Sequence, residues 1–180
     1  MDFQLGDVLF ILENDGSLSD MIANVEKGYD DEKFNHAGMY AGDDKVIEAT
    51  KDGVVLTDLN DFIFRAVDDV LVARVSISMG KKAATYANKQ VGKAYNDTFV
   101  PTEDKFYCTE LIVKAYDWAA QEKFFTEHKL TFPTSGEQFE FWKSYYEKRN
   151  MQIPFDALGT NPASLSKDKK FQNHYYVMFK

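Results

Sequence analysis

The stretch Lys105-Phe106-Tyr107-Cys108-Thr109-Glu110-Leu111-Ile112-Val113-Lys114-Ala115-Tyr116-Asp117-Trp118 holds the single cysteine of the 180-residue chain. Leu111, Ile112, Ala115, Trp118 and Ala119 recur at three- and four-residue intervals, the pattern of a helix with one buried apolar face. Upstream, Pro101-Thr102-Glu103-Asp104 has loop composition, so Cys108 is expected at or near the first turn. Free amide N–H groups and the positive end of the helix dipole favour an anion there. For cysteine that anion is the thiolate, the nucleophilic form. A lone intracellular cysteine is also commonly a small buried hydrophobe, and position alone leaves both readings open.

A second stretch bears on the choice: Phe34-Asn35-His36-Ala37-Gly38-Met39-Tyr40-Ala41-Gly42-Asp43-Asp44-Lys45-Val46-Ile47-Glu48-Ala49-Thr50. Gly42-Asp43-Asp44 is turn chemistry between two runs of strand character, which predicts a β-hairpin. Alternate side chains of a strand share a face, grouping His36, Gly38 and Tyr40 on one arm and Val46, Glu48 and Thr50 on the other. A turn centred near Gly42 makes His36 and Glu48 approximate cross-strand neighbours. A slip of one residue in register would separate them. An imidazole held by a carboxylate is the base-plus-orienter half of a Cys-His-acid triad. The other reading is a hydrogen-bonded sheet histidine, with Glu48 turned to solvent.

The two stretches resemble a family when taken with their neighbours. The resemblance is carried by Gly6-Asp7-Val8-Leu9-Phe10, the histidine hairpin, Gly92-Lys93-Ala94-Tyr95 and Tyr107-Cys108-Thr109-Glu110-Leu111-Ile112. Their order and spacing look like the YiiX/YebB-like branch of the NlpC/P60 superfamily, the circularly permuted papain-like cysteine hydrolases. In permuted members the histidine strand precedes the cysteine, as here, and the resemblance covers the first two thirds of the chain. It implies an α+β, permuted papain-like fold in which an antiparallel sheet or barrel packs on helices, with the nucleophile at a helix N-terminus. It implies Cys108 as nucleophile, His36 as general base and Glu48 as the residue orienting the histidine. It also points to Tyr107, and less strongly to Tyr95, as lining the oxyanion and substrate site. The activity implied is hydrolysis of an amide by an amidase or peptidase. Substrates it allows include cell-wall stem peptides, γ-glutamyl or N-acyl amides, and lipid-linked amides or esters. The alternatives are a thiol acyltransferase of the same fold and a non-catalytic binding domain that kept the scaffold.

Composition sets the remaining bounds. A length of 180 residues suits a single domain spanning 1–180. A net charge of −8 with no basic stripe gives nucleic-acid binding nothing to run on. One cysteine excludes an internal disulfide, and His36, His128 and His174 show no metal-ligand spacing, so neither metal nor cofactor is expected. No run approaches about 20 apolar residues, so no transmembrane segment is expected. The N-terminus lacks a basic region followed by an apolar run, which makes the cytoplasm the default compartment, although a trimmed leader would read the same and relatives of this family are often exported. Oligomeric state is not legible.

In chain order, residues 6–12 and 70–75 read as buried strands and 53–57 as another. Residues 17–27 read as a helix capped by Ser17 or Ser19, and 58–63 as a short helix or turn. Residues 81–91 read as a helix closed by Gly92. Past residue 130, an aromatic helix is expected over 138–147 and a terminal strand over 175–179. Strands followed by helices make an α+β pattern. The aromatic residues between 124 and 146 read first as ordinary packing and second as a cap on the cleft.

Overall fold

The computed structural model describes residues 2–14 and 16–177. In chain order the elements are β1 (Val8–Ile11), α1 (Ser17–Ala23), a 3-10 turn (Tyr29–Asp31), β2 (His36–Gly42), β3 (Lys45–Thr50), β4 (Gly53–Asp58), α2 (Leu59–Phe64) and β5 (Val70–Arg74). Then come α3 (Ile77–Asn88), β6 (Ala94–Tyr95), β7 (Lys105–Phe106), α4 (Cys108–Ala120), β8 (His128–Lys129), α5 (Gly136–Glu147), β9 (Leu158–Gly159), α6 (Pro162–Ser166) and β10 (Asn173–Val177). Six strands form an antiparallel sheet in the order β10-β5-β1-β2-β3-β4. The fold is α+β, an antiparallel sheet packed between helices.

β1 is apolar at every position because both its faces are covered. Val8 and Phe10 join Met39, Ile47 and Leu71 under Ala83 and Ala87 of α3 and Leu111, Ile112 and Ala115 of α4. Leu9 and Ile11 turn the other way, to Phe62 and Ile63 of α2. A strand sandwiched in this way needs no polar face. Its start is held by Asp7, a buried carboxylate that takes two bonds from Arg74 at 2.7 and 2.6 Å and one from the Tyr175 hydroxyl at 3.1 Å. That cluster joins β1, β5 and β10.

The hairpin between β2 and β3 turns on Asp43 and Asp44, both at positive φ (49° and 51°), the backbone of a two-residue turn that suits the twist of the strands. Gly38 pairs with Glu48 across it. His36 therefore stands two residues along from Glu48's direct partner, a diagonal neighbour on the same face, and pairs on its other side with Ile11.

Several expected boundaries move. α1 is capped by Gly16 with no side-chain bond, not by Ser17 or Ser19, and it ends at Ala23. α3 begins at Ile77, where Ser76 accepts a bond from the Met79 amide. It ends at Asn88, and Gly92, at φ +89°, belongs to the following turn. The cap at Ser76 outweighs the strand-like look of Val75 and Ile77. α5 starts at Gly136, two residues early, and the final strand starts at Asn173; Met178 and Phe179 of the expected strand lie outside the described residues. Among the described residues no helix is long and apolar enough to cross a membrane.

Gly80 sits inside α3 because the loop at Leu5 and Gly6 runs against it. A Cβ on Gly6 would collide with the Gly80 backbone, and Gly6 is also at φ +87°. Its carbonyl accepts a 2.8 Å bond from Tyr116 of α4, so this contact seats the helix that carries Cys108. Gly6→Ala should therefore cost about 3 kcal/mol, combining strain with collision. Gly92→Ala, also at positive φ (+89°) but with open space around it, should cost about 1 kcal/mol. Denaturant midpoints measure both, and equal losses would show that backbone strain alone governs Gly6.

Candidate active site

Cys108 is the first residue of α4, after an N-cap at Tyr107 with extended backbone (φ −90°, ψ 169°). Its amide is one of those a helix start leaves without an intrahelical acceptor. The turn is built around Glu110, whose buried carboxylate accepts from the Tyr107 amide (3.2 Å), the Thr102 amide (2.9 Å) and the Asn96 side chain (2.9 Å), with Lys114 at 3.0 Å. An acid in the first turn suits the dipole, and here it also ties loop 96–107 to the helix start. Thr109 fixes the other flank by donating to the Thr160 carbonyl at 2.9 Å.

His36 is the first residue of β2, and its ring meets the helix start at that end of the sheet. Nε2 lies 2.6 Å from Glu48 Oε2. Cys108 lines the same cleft as His36 and raises the imidazole alongside Glu48, and Nδ1 is the nitrogen that Glu48 leaves free. Glu48 has no exposed side-chain surface. Besides His36 it accepts from Thr57 Oγ1 at 2.5 Å and from Arg65 at 2.6 Å. Arg65 stands on the Phe62 ring and approaches Glu13 at 3.6 Å.

These contacts set the charges. Burial alone would push the His36 imidazole down, but the interactions with Cys108 and Glu48 prevail and raise it from 6.5 to about 10. Burial would likewise push Glu48 up, yet the bond to His36, then Thr57 and Arg65, lower it from 4.5 to about 2. The pair is an imidazolium and a carboxylate across the neutral range.

Tyr95 is brought to Cys108 by the parallel pairing of β6 with β7, which sets Tyr95 opposite Phe106. Burial, then the electrostatic influence of Cys108, push its phenol well above the ordinary value. Tyr107 turns elsewhere. Its hydroxyl packs over Gly159 and bonds the Thr160 backbone, and burial raises its phenol strongly. Two hollows meet at Cys108. A polar cleft of about 720 Å³ is lined by His36, Glu48, Arg65, Tyr95, Glu13 and Lys51, among others. An apolar crevice of about 60 Å³ runs the other way, past Tyr107 and Trp142. His128 lies in β8 and His174 stacks on Tyr29 at 3.9 Å, so neither joins the site.

Sequence reasoning missed Thr57, Arg65 and the role of Glu110. Thr57 was readable by parity, since it shares a face of β4 with Val55, the partner of Glu48. Arg65 follows α2 without any periodic mark. The expected aromatic cluster divides: Phe124 and Phe125 pack with Tyr116 in the interior, while Phe132 and Trp142 border the crevice.

Comparison with known proteins fits this geometry. The family model described as permuted papain-like amidase enzyme, YaeF/YiiX, C92 family, matches residues 2–175. The crystal structure of the metalloprotein YiiX from Escherichia coli O157:H7 is similar at 25% identity and a TM-score of 0.78, over 98% of this chain and 97% of that one. No curated protein matches by sequence. Among the described residues of this chain, no three His, Cys, Asp or Glu side chains gather as metal ligands, so the donor set does not fit a bound metal and no step below passes through one. With nearly its whole length matched, the chain belongs to the C92 family of permuted papain-like amidases.

Proposed function

We propose that residues 1–180 act as one catalytic domain that cleaves an amide bond, with Cys108 as nucleophile, His36 as general base and acid, and Glu48 as the carboxylate that orients His36. The observation that carries this is a single ring, His36, bonded to a fully buried carboxylate and lining one cleft with the cysteine at a helix start. The proton His36 carries is the one the thiol gives up, leaving a thiolate beside the open amides of α4. The thiolate attacks the carbonyl carbon of the substrate. The resulting oxyanion faces the Cys108 amide, with the Tyr95 hydroxyl on the cleft side of the sulfur and Tyr107 beside it on the crevice side. As the C–N bond breaks, His36 gives its proton to the departing amine and a thioester remains on Sγ. Water, deprotonated by His36, attacks the thioester and releases the acid and the thiolate. The substrate class is a peptide or small N-acyl amide whose polar part fits the cleft beside Lys51, Asp52 and Arg65.

Arg65 and Thr57 enter this reading as positioning residues. They hold Glu48 so that one oxygen stays on the imidazole, and Arg65 balances its charge.

Iodoacetamide at pH 7 should alkylate Cys108 at least about tenfold faster than free cysteine, and His36→Ala should remove most of that advantage. Cys108→Ala should abolish turnover with little loss of stability, while Glu48→Gln should lower kcat/KM by about 10²- to 10⁴-fold, because the orienting group does not itself react. A cysteine labelled no faster than the free amino acid would leave only a buried thiol.

The pair also predicts how stability follows pH. His36 titrates near 6.5 in the unfolded chain and near 10 when folded, so its contribution is complete below 6.5 and is lost as pH rises towards 10. Glu48, near 4.5 unfolded and about 2 folded, contributes above 4.5 and loses that contribution as pH falls towards 2. The Tm should therefore fall from pH 6.5 upwards, and Glu48→Gln should flatten that alkaline slope. An identical slope in the variant would mean that Glu48 does not hold the imidazolium.

A further inference from the structure

The chain carries a net charge of −8, yet four lysines wall one hollow that none of Cys108, His36 and Glu48 lines. Lys129 comes from β8, and Lys167, Lys169 and Lys170 from the turn between α6 and β10. The space is about 720 Å³, within the ~300–1,000 Å³ of small-molecule sites. Another large hollow, beside Asp30, Glu32, Asp68 and Asp69, has the opposite charge, so the two signs are segregated.

Two carboxylates also line the lysine hollow, Glu26 and Asp168, and both are engaged. Asp168 accepts from the Thr126 and Lys170 amides at 2.9 and 2.8 Å. Glu26 accepts from the Asn161 side chain at 2.8 Å and pairs with Lys167 at 3.1 Å. Lys129 pairs with Asp156 at 2.6 Å, but both side chains are mostly exposed and such a pair contributes little. Lys170 lies over the Phe124 ring, 4.9 Å from its centre. Among the described residues, neither the Lys169 nor the Lys170 ammonium has a carboxylate within 4.0 Å. Four ammoniums against two carboxylates leave an excess of two positive charges, and a concave wall concentrates their field. Glu26 shows which chemistry the walls accept: a carboxylate bonded at once to an amide group and an ammonium.

The hollow adjoins the candidate centre. Leu130, Thr131, Thr160 and Asn161 line it and also line the crevice at Cys108. Thr160 is the residue whose carbonyl takes the hydroxyl of Thr109, next to Cys108.

We propose that this hollow binds a compact anion bearing two or more carboxylate or phosphate groups, with Lys169 and Lys170 as its main partners. The site stands beside the catalytic centre and does not depend on Cys108 being the nucleophile. One negative charge leaves half of the excess unmatched, whereas two complete it.

Calorimetric titration of the full chain at pH 7 tests this, with citrate, pyrophosphate and acetate as probes. About 0.1 M sodium chloride screens charges more than ~10 Å apart, so local contacts dominate what is read. Citrate or pyrophosphate should bind with a Kd of about 1 mM or lower, and acetate at least about tenfold more weakly. The tighter of the two tells whether carboxylates or phosphates are preferred. Lys169→Gln and Lys170→Gln should each weaken that binding about fivefold, and the double variant at least about tenfold. Lys143→Gln, at an exposed position on α5 outside the hollow, removes the same charge and should leave Kd unchanged. Acetate binding as tightly as citrate and pyrophosphate, or no probe binding below about 10 mM, overturns the site. So does a Kd that the double variant leaves unaltered, or that Lys143→Gln raises as much as Lys169→Gln.

Discussion

A carboxylate sealed from solvent must be matched by donors and positive charge, and everything at this site follows from how Glu48 is matched. Its donors come from three elements: the imidazole of β2, the hydroxyl of β4 and the guanidinium that follows α2. Each contact is short, and together they leave the carboxylate no rotational freedom. The fixed oxygen then fixes the ring, and the ring fixes which nitrogen faces Cys108. Cost and benefit are linked here: a charge this deep is unfavourable alone, and its partners are what make His36 a cation at neutral pH.

The cysteine side is matched by a second buried acid. Glu110 gathers a loop amide, the cap amide, an asparagine and a lysine, and so converts the irregular chain from 96 to 107 into a rigid approach to α4. α5 supports the same loop from outside, where the Tyr145 and Tyr146 hydroxyls bond the carbonyls of Asp97 and Thr98. The close passage of Gly6 against Gly80 sets the far end of α4, through Tyr116. Two acids and one glycine contact thus position His36 and α4 with Cys108 at its start.

What was legible in the sequence follows the range of the forces involved. Period-two and period-3.6 patterns report local burial, and they located β2, β3 and α4, with Cys108 at a helix start and His36 on the face of Glu48. The hairpin was legible because its register depends on a turn within the same twenty residues. The diagonal offset of His36 depends on a bulge near Tyr40, and no residue type announces a bulge. Ser76 was hidden as a cap by the β-branched residues around it. Arg65, Glu110 and the crevice belong to another class. The crevice draws walls from positions as far apart as 22, 99, 130, 142 and 160, and only the completed fold brings such positions together.

The order of the parts along the chain has a consequence for synthesis. His36, Glu48, Thr57 and Arg65 all precede α3, so on the ribosome the sheet half of the site emerges before the thiol exists. β5 must then wait for β10, the last strand described, before its outer edge is paired. A nascent chain therefore carries an imidazole without a sulfur, and later a sulfur without its full support. The supports of Cys108 from Thr160 and from α5 are thus completed only after α4 itself has been made.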